Sequence, residues 1–235
     1  MKRMYLCVFF ISCAFTGISF AQGNAESDPT FKKAVNYFYE RKFEMAQLLL
    51  QESIKKNPEN SEAYSYLGDI FLNKKRYDAA LNLYKKALDL KPSIADNYFR
   101  IGQVYYYKKQ GQDSIDYFNK SYELDSGLKF AQFHLGLAFL MLKRDKDKTI
   151  EHWETYLKIA PEDPQYENIR RVIDLLRDPN FTIPALDSEI SIEEALHLGG
   201  ITLMPGDHKS TDKLADHENM KINKKIKEVY IDDDM

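Results

Sequence analysis

The chain has 235 residues, enough for one domain or one short repeat array with flanking segments, and its apolar share of 44% is sufficient for a sizeable core. Its 33 basic and 36 acidic residues give a formal net charge of −3 and are scattered along the sequence. That balance argues against nucleic acid and against an anionic membrane surface as partners, since both call for clustered positive charge.

The first stretch stands apart. Lys2 and Arg3 precede a largely apolar run from Met4 to Phe20, and the first acidic residue is Glu26; this is the layout of a secretory signal peptide. Ser19-Phe20-Ala21 puts small side chains at the first and third positions before a cut, so residues 1–21 are assigned to the signal, with cleavage after Ala21 and a periplasmic product. The apolar run is also at the lower edge of what spans a bilayer, which makes a retained anchor the alternative. A further reading takes Phe10-Ile11-Ser12-Cys13 as a lipobox and the protein as a lipoprotein anchored through Cys13. Both cysteines, Cys7 and Cys13, lie in this segment, so a chain cut after Ala21 has neither disulfide nor thiol nucleophile.

Beyond the signal the sequence repeats itself. Ala34, Gly68, Gly102 and Gly136 are each 34 residues apart, and the same offset links Tyr37, Phe71, Tyr105 and Phe139, then Ala46, Ala80 and Ser114, then Leu50, Tyr84 and Phe118, and finally Pro58 and Pro92. A fixed period of this length marks stacked units, each burying its apolar face on its neighbours. The pattern resembles the tetratricopeptide-repeat family, most completely in Tyr64, Leu67, Gly68, Phe71, Tyr77, Ala80, Tyr84, Ala87 and Pro92. Two antiparallel helices must approach closely in such a unit: Gly68 and Ala80 let the backbones meet, Phe71 and Tyr84 fill the space beside them, and proline ends the second helix. The resemblance implies an all-α fold, a right-handed α-solenoid of helix-turn-helix repeats, read here as residues 27–60, 61–94, 95–128 and 129–161. In the third repeat Ser126-Gly127 replaces the proline as a stop. In the fourth, Trp153 and Pro161 come one residue late, which puts an inserted residue in Lys143 to Lys148 and lengthens the inter-helix turn.

Asp163-Pro164 reads as an N-cap with proline in the first turn, and Tyr166, Ile169, Val172, Ile173 and Leu176 form the stripe of a capping helix over residues 162–178. Residues 179–203 read as an extended segment, Asn180 to Ile190, followed by a short helix opened by Ser191-Ile192-Glu193-Glu194. Residues 204–235 are polar and charge-mixed and read as a flexible, irregular tail; the alternative is that Ile222, Ile226 and Val229 mark one face of a helix that forms on binding.

The sequence contains no Gly-rich phosphate loop, nucleophile elbow or metal-ligand cluster, and His134, His152, His197, His208 and His217 are isolated. A non-catalytic protein without cofactor or metal is therefore expected. The resemblance instead implies a groove, because in this family the first helix of each repeat lines the concave wall. Carried over by position, that wall takes Phe31, Val35, Phe38 and Tyr39 from the first repeat and Asp69, Leu72 and Asn73 from the second. The third gives Phe99, Gln103, Tyr106 and Tyr107, and the fourth Phe130, Phe133, Leu137 and Met141. Such an aromatic wall suits an apolar segment; the alternative is that some rings fold into the inter-repeat core or lie under residues 180–203. The family's two-carboxylate clamp is not matched, since its places hold Phe31, Val35, Tyr66 and Asp96, and only Arg100 agrees. The expected function is a protein–protein interaction scaffold of the bacterial cell envelope, whose partner is another envelope protein or peptide segment. The second reading is a carrier of a small hydrophobic ligand enclosed by the solenoid and the C-terminal segment.

Overall fold

The computed structural model describes residues 28–185 together with 188, 191, 192, 195 and 196; the expected signal and the tail from Met204 lie outside the described residues. Four helix hairpins follow one another: α1 (Pro29–Tyr39) with α2 (Phe43–Lys56), α3 (Ser61–Asn73) with α4 (Tyr77–Leu90), α5 (Ala95–Tyr107) with α6 (Gly111–Leu124), and α7 (Lys129–Ala138) with α8 (Lys146–Ile159). A further helix, α9 (Tyr166–Arg177), follows the four hairpins. Each helix packs most extensively on its hairpin partner and then on the next hairpin, the arrangement of an α-solenoid. The first helices also touch one another, α1 with α3, α3 with α5 and α5 with α7, whereas no pair of second helices does so to that extent. The first helices therefore form the inner wall. No helix among the described residues is long and apolar enough to cross a membrane.

The 34-residue period is a packing period. At its centre, one position on the first helix has no room for a larger side chain because a ring from the second helix lies on it. A Cβ on Gly68 would come within 2.5 Å of the Tyr84 ring, and one on Gly102 within 2.6 Å of the Phe118 ring; at Gly136 the obstacle is the Trp153 indole. The first repeat solves the same contact with a different division of volume, pairing Ala34 with the smaller Leu50, both fully buried. Bulk on one helix is matched by bareness on the other in every repeat. The Trp153 indole N–H is satisfied in this position, donating to the Phe133 carbonyl oxygen at 3.0 Å.

The C-terminal ends of the first helices follow the same period, and the start of α1 has its own cap. Asp28 caps α1 by accepting from the Thr30 N–H at 2.9 Å, and its other oxygen accepts from the Ser53 hydroxyl at 2.6 Å, tying the start of α1 to α2. The first helices end through left-handed residues, Arg41, Lys75, Lys109 and Arg144, with φ of 60°, 56°, 59° and 60°. The residue after each of the first three bonds back five positions, Lys42 to Tyr37, Arg76 to Phe71 and Gln110 to Tyr105, in the geometry of a Schellman stop.

The fourth repeat breaks this series and relocates the expected insertion. Its left-handed residue is 35, not 34, positions after Lys109, and the following N–H, that of Asp145, reaches back six positions to Phe139 at 3.1 Å. Phe139 itself is in register with Tyr37, Phe71 and Tyr105. The extra residue thus lies between Phe139 and Arg144, absorbed as a π-helical turn over Phe139–Lys143, and the inter-helix turn keeps its length. A widened turn leaves carbonyls out of line with their usual donors, and Arg144 supplies replacements: its guanidinium donates to the oxygens of Leu140 at 3.2 Å and Met141 at 2.5 Å.

The capping helix begins later than expected. Asp163 does not cap it; its carboxylate accepts from the Tyr156 hydroxyl and from the Gln165 N–H, both at 2.7 Å, forming a turn that delays α9 to Tyr166. Ile169, Val172, Ile173 and Leu176 of α9 pack against Trp153, Tyr156 and Leu157 of α8. The chain beyond α9 is non-helical at 181–185, where Phe181 and Ile183 lie on the same cluster, and Lys146 donates to the Phe181 carbonyl oxygen. Ile192 and Leu196 are buried in that cluster as well, with the Ala195 N–H bonded to Ser191 at 3.0 Å; Glu193 and Glu194 of the expected capping box lie outside the described residues.

Three stability measurements test this packing. Gly102→Ala should cost about 1–3 kcal/mol by overpacking. Leu50→Phe should also destabilise, and adding Ala34→Gly should recover at least about 0.5 kcal/mol of the loss as a positive coupling in urea unfolding; no coupling would contradict the volume pairing. Lys75→Gly should stabilise by about 0.5–1 kcal/mol by removing a left-handed side-chain penalty. Arg144→Gly should show no such gain, because it removes the donors to Leu140 and Met141.

Candidate functional site: the inner wall of the first three repeats

The expected wall residues divide by depth. Phe31, Phe99, Gln103 and Phe133 are buried between hairpins, each under 9% exposed. Phe31 meets Tyr66 of α3, Phe99 meets His134 of α7 and Phe133 meets Trp153 and Tyr156 of α8, so side chains chosen by position for the groove serve as core. Val35, Phe38, Asp69, Leu72, Tyr106, Tyr107, Phe130, Leu137 and Met141 are half-buried, and Tyr39 and Asn73 are exposed. The fourth repeat differs in its packing: Phe130, Leu137 and Met141, half-buried, lie against the cluster that also contains α9, Ile192 and Leu196. The part of the wall not engaged with that cluster runs along α1, α3 and α5.

Two aromatic groups flank this wall. At the α1 end, Tyr39 sits edge-on to Phe38 and Tyr66 with centroids 5.5 and 6.2 Å apart, and the Tyr39 and Tyr66 hydroxyls are 3.0 Å apart. Phe38 also meets Tyr66 edge-on at 5.1 Å. At the α5 end, Tyr107 stacks on Tyr77 at 5.7 Å and 11°, and Tyr106 stands edge-on to Tyr107 at 5.8 Å. These rings are held by one another and by the hairpin packing, so their orientation is set before any partner arrives.

Between them lies an ion pair. The Arg100 Nε on α5 donates to Asp69 Oδ1 on α3 at 2.7 Å, and the Tyr84 hydroxyl donates to the same oxygen at 2.7 Å from below. Arg100 and Asp69 keep 29% and 17% of their side-chain surface exposed, while Tyr84 is fully buried. Burial pushes the Asp69 carboxyl up, and the Arg100 charge and the Tyr84 bond pull back part of that rise. For Arg100, burial is the largest influence and acts to lower the guanidinium, but attraction to Asp69 together with Tyr84, Asp96 and Tyr66 outweighs it and holds the group above its ordinary value. The Tyr84 and Tyr66 phenols are both held up by burial, with Asp69 adding to the rise at Tyr84 and Tyr39 at Tyr66.

Position-by-position reading missed Tyr66 and Arg100 as wall residues, although both occupy the sixth place of their repeats. The signal was available in helix geometry, since the sixth place is four residues after the second and three before the ninth, on the same face as both.

The geometry defines a class: an α-solenoid of helix hairpins with an aromatic inner wall. Residues 31–95 and 76–129 match the tetratricopeptide repeat family, and over that stretch the chain carries tetratricopeptide repeats. Solved structures with the same fold include the MamA protein, at 22% identity over 63% of this chain and 78% of that one with a TM-score of 0.56. MamA from Desulfovibrio magneticus RS-1 aligns at 20% identity over 58% and 76%, with a TM-score of 0.53. YrrB, described as a TPR protein with an unusual peptide-binding site, aligns at 18% identity over 64% and 79%, with a TM-score of 0.54. No curated protein sequence matches the chain at a significant level.

The raised phenols give a pH dependence with a definite sign. Tyr84 stays protonated in the fold well above the ordinary value of 10.0, whereas an unfolded chain releases that proton near it. Its contribution is present below about pH 10 and is lost as pH rises further. Urea midpoints should therefore fall above that pH, and Tyr84→Phe should lower the midpoint at neutral pH while making the alkaline fall shallower; an unchanged alkaline slope would contradict the assignment.

Proposed function

We propose that this protein is a non-catalytic scaffold of the bacterial cell envelope that holds a segment of a partner protein against the inner wall of its first three repeats. The observation that carries the reading is the pair of ordered aromatic groups along that wall, Tyr39 with Phe38 and Tyr66 and Tyr107 with Tyr77 and Tyr106, of which Tyr39 keeps 36% of its surface exposed. Aromatic side chains fixed before binding supply large contact area at small entropic cost, and a groove between successive helices takes an extended or helical segment. The description of YrrB as peptide-binding lends the reading support from a protein of the same fold. Asp69 is engaged with Arg100 and Tyr84, a fixed polar group between the rings that suits recognition.

Export belongs to the same proposal. It rests on Lys2-Arg3, the apolar run to Phe20 and the small residues before the expected cut after Ala21.

Tyr39→Ala combined with Tyr107→Ala is expected to reduce partner capture from envelope extracts at least about tenfold, as loss of two anchoring rings should, with helicity by circular dichroism unchanged. Undiminished capture by the folded variant would overturn the groove reading. The intact mass of the protein recovered from the envelope fraction should correspond to a chain starting at Gln22; an uncut chain in the cytosol would overturn export.

A further inference from the structure

The ion pair in the middle of the wall determines what kind of segment the wall accepts, an inference that rests on the groove reading above. Arg100 is a cation on the sixth place of α5, partly exposed on the inner wall, and a guanidinium so placed is a ready seat for a carboxylate. Its charge is already matched from within the chain. Asp69, from the neighbouring first helix, meets the Arg100 Nε at 2.7 Å, and the buried Tyr84 hydroxyl fixes the same carboxylate oxygen from the core side at 2.7 Å. The carboxylate is thus anchored by two elements and cannot swing aside without leaving a buried phenol unpaired. Asp96, one helical turn before Arg100 and exposed, adds a second negative charge within electrostatic reach of the pair. The centre of the wall is in consequence neutral to negative, with aromatic groups on either side.

We infer that Asp69 is a specificity-determining residue: by occupying Arg100 from within the chain, it makes the wall accept a peptide segment that is apolar and uncharged at this point and reject one that presents a carboxylate there. Discrimination of this kind comes from a repulsive element as well as an attractive one.

Panning a phage-displayed random peptide library on the full mature chain tests this. Wild type should select aromatic and aliphatic sequences depleted in Asp and Glu. Asp69→Asn, which keeps the shape and the acceptor for Tyr84 but frees the Arg100 charge, should raise the Asp and Glu content of selected peptides at least about fivefold over wild type, the effect of one unpaired charge at contact distance in water. Arg100→Gln leaves Asp69 unpaired and should instead raise Lys and Arg content by a similar factor. A folded Asp69→Asn protein selecting the wild-type sequences, or a wild type that itself favours acidic peptides, overturns the inference and leaves the groove reading standing. Should Asp69→Asn fail to give a cooperative melt, Arg100→Gln decides alone, and an unchanged selection overturns the inference. If wild type selects no peptide that Tyr39→Ala with Tyr107→Ala fails to bind, the groove reading falls and this inference with it.

Discussion

The structure depends on one contact repeated in every hairpin: a position on the first helix bare enough for a large side chain of the second helix to lie on its backbone. Gly68 under Tyr84, Gly102 under Phe118 and Gly136 under Trp153 are three forms of it, and Ala34 with Leu50 is the fourth with the volume shifted from one partner to the other. Close approach at this point fixes the separation of the two helices and thereby the face each hairpin offers to the next. The period of the sequence is constant because this contact cannot be displaced without reopening the core.

The inner wall follows from that contact. With second helices held at a fixed distance, first helices meet one another along one side, and side chains at their second, sixth and ninth places share a surface that spans hairpins. Asp69 and Arg100 meet across α3 and α5 for this reason, and Tyr84 reaches them from α4 because its ring already lies on Gly68. The same tyrosine therefore serves the packing with its ring and the wall with its hydroxyl. At the C-terminal end α9 packs on α8 in place of a further hairpin, and Phe130, Leu137 and Met141 lie against the same cluster.

Much of the fold was legible because the repeat contact is written in residue size: small at 34, 68, 102 and 136, large at the partner position. The single-residue slip at Trp153 was legible too, but its location was not. An extra residue in a turn and an extra residue in a π-helical turn displace everything downstream by the same amount, and only the bond from Asp145 back to Phe139 distinguishes them. The start of α9 was misplaced because Asp163-Pro164 has the composition of an N-cap, whereas the Tyr156 hydroxyl, seven residues earlier, engages its carboxylate. The depth of the wall residues was the least legible part. Phe31, Phe99 and Phe133 have the same residue type and repeat place, and that place turns into the seam between hairpins, while Tyr39, Tyr106 and Tyr107 at the helix ends keep a surface.

The central claim, that the inner wall of the first three repeats is where a partner lies, is tested most directly by position-specific photocross-linking in cells. A benzophenone side chain at Tyr107, on the inner wall, should form a discrete adduct, and one at the exposed Asn82 of α4 should not. An adduct from Asn82 with none from Tyr107 would place the partner on the other side of the array and contradict the account.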